Sequence, residues 1–172
     1  KDLILTEASG DMLLHNPEAL RGFEAYLMDE GFRVRDSLWP VAAAKNAVYG
    51  ENRKILLDGL EEHLGELRDY FGWTEPGAGF FSVLTFKKGQ LQADQELVEK
   101  LVVEHGVVTI PMFGFYPQDA RDRNPKVGLD QLRLSFSFNE STGEARRQDM
   151  REAVRALAAA LRIEGGLPPL ES

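Results

Sequence analysis

The sequence predicts an α/β chain of the α+β two-layer kind, a small mixed sheet covered by helices. Three observations carry that prediction. Leu56, Leu60, Leu64, Leu67 and Phe71 recur every three or four residues, which is helical spacing. The segments "FFSVLTF" (80–86) and "LRLSFSF" (132–138) are short, aromatic or alternating, which is strand patterning. Helical patterns separate and follow these runs, so the expected order is helices, then β-α-β-loop-β-α.

Taken in order, Asn16 and Pro17 supply a cap and a first helical position for a helix running to Gly31. "FRVRDS" (32–37) is expected as an extended connection. A second helix starts near Trp39 and Pro40 and ends around Gly50. The leucine-striped helix from Glu51 runs about five turns. It closes in the turn-forming cluster "GWTEPGAG" (72–79). A strand from Phe80 stops at Lys87-Lys88-Gly89, and an amphipathic helix follows with Leu97, Leu101 and Val102 inward. "VVTIP" (107–111) is expected as a buried strand stopped by Pro111. A long loop rich in Pro, Asp, Arg and Asn spans 112–128, the kind that carries function. The arginine-bearing strand at 129–138 follows, then a helix with Met150, Val154, Leu157 and Leu161 on one side.

Composition narrows the chemistry. With 20 basic and 28 acidic residues the formal charge is −8, which argues against nucleic acid as a partner. No apolar run approaches the ~20 residues of a membrane span. There are no cysteines, so disulfides, thiol nucleophiles and zinc–thiolate sites fall away; a cytoplasmic setting is compatible with that. His15, His63 and His105 lie far apart and outside any ligand motif, so no metal site is expected. No GxSxG elbow, Walker loop or GxGxxG fingerprint occurs, and the chain starts on lysine with no signal-peptide pattern.

Four pieces in order carry a resemblance: the long helix leading to "RDYFGWTEPGAGFF", the helix closing on "EHGVVTIP", the "FGFYP" loop, and "LRLSFSF" before a terminal helix. Together they resemble the C-terminal, or small, domain of class I and II pyridoxal-phosphate-dependent aminotransferases, nearest to the valine–pyruvate and kynurenine branch. The resemblance covers roughly residues 37–163, with 1–36 as a helical lead-in and 164–172 as a tail. Pro76 to Phe81 matches the family's Pro-x-Gly-Gly-x-Phe, with Ala78 in place of the first glycine. Pro111 matches a family proline, but Met112 stands where glycine is usual.

The resemblance implies amino transfer between an amino acid and a 2-oxo acid, with pyridoxal 5'-phosphate as cofactor. It makes Arg133 the anchor of the substrate α-carboxylate, since a guanidinium fork matches a carboxylate. Phe115 and Tyr116 would line the substrate pocket, and Gly79 would shape its rim. None of Lys1, Lys45, Lys54, Lys87, Lys88, Lys100 and Lys126 sits in the family's lysine motif. The chain alone is therefore expected to lack catalysis and to need a large cofactor-binding domain, in an enzyme that the resemblance makes a homodimer. The alternative from another class is a degenerate, non-catalytic copy acting as an interaction or regulatory module. A catalytic piece is expected to hold Arg133 in a concave, partly open site and to expose an apolar face where the large domain belongs; a free-standing module covers that face and can pair Arg133 with one of its own acids.

Overall fold

The computed structural model describes Glu18, Arg21, residues 34–138 and residues 141–170. It falls into two compact units, 1–46 and 47–172. Glu18 and Arg21 are helical, and the rest of the helix expected at 16–31 lies outside the described residues.

Helix α1, Val34–Leu64, is continuous, so residues 34–37 of the extended connection expected at 32–37 are helical, 32–33 lie outside the described residues, and there is no break at Gly50. A mid-helix glycine costs about 1 kcal/mol against alanine, too little to end a helix that is packed further on. It closes through a 3-10 turn, Gly65–Leu67.

Within the second unit a four-stranded sheet has the order β1-β2-β4-β3: β1 Phe71–Trp73, β2 Phe81–Phe86, β4 Gln131–Ser135 and β3 Ile110–Pro111. The two-layer class holds, but every pairing is antiparallel rather than mixed. Strand β1 corrects the sequence reading, which placed Phe71 on the leucine helix and Gly72-Trp73 in a turn. Its pairing with Leu84–Phe86 is a non-local contact, invisible to a periodicity count that Phe71 happens to satisfy. The Arg68 guanidinium stacks 3.5 Å from the centre of the Trp73 ring, holding the corner.

Helix α2, Gln95–Val103, starts on Asp94, whose carboxylate accepts from the Leu97 amide at 2.9 Å. Leu97 and Leu101 are buried as expected. Val102 is exposed, a correction, because the next position lies about 100° around the wheel from Leu101. Asp94→Ala should cost about 1 kcal/mol of stability in a urea melt, the usual value of such a cap.

Strand β3 is also shorter than the buried strand expected at 107–111. Val107 and Thr109 are buried while Val108 and Ile110 are exposed, and only Ile110 and Pro111 pair with β4. At this edge of the sheet a proline, lacking an N–H, costs no ladder bond. The expected loop after it contains a 3-10 turn, Met112–Phe115, and a short helix α3, Gln118–Arg123. Helix α4, Gly143–Glu164, buries Met150, Val154, Leu157 and Leu161.

One side of the sheet forms the core. Ser82, Leu84 and Phe86 of β2 and Leu132 and Leu134 of β4 are buried with Leu56, Leu60 and Leu64 of α1 and the α4 stripe. The α1 and α4 backbones approach closely at Gly59, where a Cβ would stand 2.8 Å from the Val154 side chain. Buried Asn52 donates both amide hydrogens, to the carbonyls of Phe136 (3.0 Å) and Phe138 (2.6 Å). It thereby ties the chain leaving β4 to α1. Buried Arg162 donates to the His63 carbonyl at 2.9 Å and to the Pro168 carbonyl at 2.8 Å, pinning the tail to the end of α1.

Candidate functional site

Arg133 sits on β4, a central strand, between Val83 of β2 and Ile110 of β3. Its neighbours Leu132 and Leu134 point into the core, so the period of two turns Arg133 to the opposite face. Pairing on both sides fixes its Cα, which suits a residue that must aim a charge.

Three phenyl rings fence its guanidinium. The carbon at its centre lies 4.7 Å from the Phe81 ring centroid, 5.0 Å from Phe115 and 5.6 Å from Phe80. Phe80 and Phe115 are themselves about half exposed, 47% and 52%, so the fence is open to solvent on one side. Contacts with ring faces steady a cation by about 0.5–1 kcal/mol each without using up its hydrogen-bond donors. Among the described residues no carboxylate pairs with Arg133. Its Nε is buried and has no acceptor. Buried donors are normally satisfied, so an aromatic-walled cation left without an acceptor is chemically ready for an anion.

The residues of the Phe115-Tyr116 step reach two neighbouring positions on the same face of β4. Phe115 stacks near Arg133, while the Tyr116 hydroxyl donates to Gln131 Oε1 at 2.8 Å. The Tyr116 ring is seated on Gly128, which has φ +74°; a Cβ there would stand 2.7 Å from the ring and 3.0 Å from the Phe113 amide nitrogen. Gly79 has φ +90° with open space around it, and it turns the chain into Phe80 and Phe81. Of the four residues expected at the site, Arg133, Phe115 and Tyr116 are thus brought together, and Gly79 stands at the turn before the fence.

Sequence reasoning placed Phe80 and Phe81 at a strand start without giving them a part at the substrate, and passed over Gln131 and Gly128. Gln131 was findable, since it lies two residues before Arg133 and therefore on the same face. Gly128 carries no local signal beyond being a glycine in a loop. Arg121 is a second guanidinium over a ring, 5.4 Å from Phe113, with a buried Nε lacking an acceptor. At the far end of α2, His105 Nε2 lies 3.1 Å from Glu164 Oε1, with Glu104 beside them. Lys100 sits 3.6 Å from the other Glu164 oxygen, so this cluster is an ion-pair tie between α2 and α4.

The described lysines do not fit the role of holding a pyridoxal cofactor. Lys45 and Lys126 are exposed, and Lys54 pairs with Asp58. Lys87 donates to the Arg68 carbonyl at 2.7 Å. Lys88 lies over Tyr70, and Lys100 is held by Glu96 and Glu164. No described lysine neighbours Arg133 in a buried cleft.

No protein-family model matches the chain. It is 36% identical over 102 residues to an (S)-3,5-dihydroxyphenylglycine transaminase from Amycolatopsis orientalis, a match covering 59% of this chain. The chain spans only about a fifth (21%) of that curated relative's length. Among solved structures, a multiple substrate aminotransferase from Thermococcus profundus superposes with TM-score 0.51 at 26% identity, covering 69% of this chain and 25% of that one. A kynurenine aminotransferase from Pyrococcus horikoshii, solved with PMP and with kynurenine, superposes with TM-score 0.52 over 69% of this chain and 24% of its own, and at 24% identity it speaks for the fold alone. By sequence and by fold alike, this chain is similar to the pyridoxal-phosphate-dependent aminotransferases, in the part to which its motifs point, their C-terminal small domain.

Proposed function

We propose that this chain is the small-domain portion of an aminotransferase that moves an amino group between an amino acid and a 2-oxo acid, with Arg133 holding the substrate α-carboxylate. One observation carries the reading: a guanidinium on a central strand, walled by Phe80, Phe81 and Phe115, with no carboxylate partner among the described residues. The rival reading, a non-catalytic module, allows an acid of the chain's own on Arg133, and among the described residues none pairs with it.

The cofactor, when bound, supplies the electron sink for the amino acid's Cα. This chain's contribution is to bind and to orient. Two parallel N–H donors of Arg133 fix the carboxylate in one plane, so that rotation about the remaining bonds is restricted before any chemistry. Phe115 and Tyr116 form a wall that limits water at the bound substrate. In this reading the lysine that holds the cofactor, and most of the cofactor's contacts, belong to a large domain outside these residues. The small domain spans about 37–163, and the assembly is a homodimer.

The test is reduction of the natural full-length polypeptide with borohydride, which fixes the cofactor's aldehyde onto its lysine, followed by peptide mapping. The label should fall on a lysine other than Lys1, Lys45, Lys54, Lys87, Lys88, Lys100 and Lys126. A label on any of these, or no bound cofactor, overturns the reading.

A further inference from the structure

Beside Arg133 the sheet presents a second polar group with its hydrogen-bonding capacity half used. Gln131 lies two residues before Arg133 on β4, so both side chains leave the same face, with Cβ atoms about 7 Å apart. Gln131 pairs across the ladder with Thr85, and Arg133 with Val83. The adjacent residues of one loop meet them in parallel, Phe115 against Arg133 and Tyr116 against Gln131.

The hydrogen bond between Tyr116 and Gln131 sets what each can still offer. The Tyr116 hydroxyl spends its proton on Gln131 Oε1, so the phenolic oxygen retains acceptor capacity. With Oε1 occupied, the amide is held in one orientation and its Nε2 presents two donors. Nε2 has no partner among the described residues, and it is not among the buried unsatisfied atoms, so it is accessible. Gly128, whose left-handed backbone carries no Cβ, leaves the space that the Tyr116 ring occupies.

A donor next to an acceptor is the complement of a hydroxyl, which can accept from Nε2 and donate to the phenolic oxygen. A carboxylate could use only the first of these, and a hydrocarbon neither. The flanking surface is aromatic, from Phe115 against Arg133 and the Tyr116 ring against Gln131, while Phe81, whose partner on β4 is Ser135, walls the far side of Arg133. We propose that Gln131 and Tyr116 form a side-chain subsite of the Arg133 site that recognises a hydroxyl group carried on an aromatic amino acid. The inference rests on the reading of Arg133 as the carboxylate anchor and adds the substrate class to it.

The experiment uses the natural full-length holoenzyme and compares kcat/KM for L-tyrosine and 3-hydroxy-L-phenylalanine with that for L-phenylalanine. The wild type should prefer at least one hydroxylated substrate by about tenfold, the worth of a partly exposed hydrogen-bonded pair. Gln131→Glu keeps an acceptor for Tyr116 but removes the Nε2 donors; it should bring the ratio to within about threefold of one. Tyr116→Phe removes the acceptor and should also lower the ratio, which keeps the test open if the glutamate variant does not fold. An undiminished ratio in a folded variant, or a wild type without the preference, overturns this inference while leaving the Arg133 reading in place. A wild type that turns over none of the three overturns this inference alone, since the Arg133 reading names no substrate side chain.

Discussion

Arg133→Ala in the natural full-length enzyme should lower kcat/KM for its amino-acid substrate by on the order of a hundredfold or more, about 3 kcal/mol. In the proposed role the effect is large because the guanidinium would supply two charge-assisted bonds to one rigid group, and because a substrate lacking that anchor would be free to rotate. Arg133→Lys should recover part of the loss, since it restores the charge but not the fork. Neither change should cost much stability. Among the described residues the head group makes ring contacts only, and no ion pair or hydrogen bond is broken. A urea melt separates the two effects, since a merely structural arginine would move the melt along with the rate.

Gly128→Ala should destabilise the fold by about 2–3 kcal/mol. Two causes add. The backbone at φ +74° is strained for any residue with a Cβ, and that Cβ would meet the Tyr116 ring at 2.7 Å with the Phe113 amide nitrogen behind it. They can be separated. In a Tyr116→Ala background the ring is gone, and the cost of Gly128→Ala should fall to about 1 kcal/mol, the backbone share alone. An equal cost in both backgrounds would show that the ring does not press on Gly128.

The sequence made part of each layer legible and blurred the rest. Helix α4 and strands β2 and β4 follow from local pattern: Met150, Val154, Leu157 and Leu161 keep helical spacing, and Leu132 and Leu134 alternate with Arg133. Those signals are strong because each element buries one whole face. Strand β1 has only three residues, and Phe71 satisfied a helical period that ended at Leu64. The edge strand β3 pairs for only two residues, so the apolar character of "VVTIP" overstated its burial. Gly50 looked like a stop, yet it lies inside a 31-residue helix, where packing from Leu56 onward outweighs its propensity.

The site divides in the same way. The face that Arg133 takes follows from the period of two, and its likeness to a carboxylate anchor came from the motifs around it. The phenyl fence did not, because Phe80, Phe81 and Phe115 come from two segments that meet only when β2 pairs with β4 and the 112–115 turn folds over them. The hydrogen bond from Tyr116 to Gln131 is likewise a tertiary contact, 15 residues apart in the chain. Among the described residues no helix is long and apolar enough to cross a membrane.

The carboxylate role of Arg133 is tested most directly by deleting the carboxylate from the substrate as well as the arginine from the protein. With the natural full-length holoenzyme, kcat/KM is measured for L-tyrosine and for tyramine, which lacks the carboxylate, in wild type and in Arg133→Ala. The wild type should favour the amino acid by about a hundredfold, and the variant should reduce that preference to within a few-fold. A preference that survives intact in the variant would mean that the carboxylate is held elsewhere and that Arg133 is not its anchor.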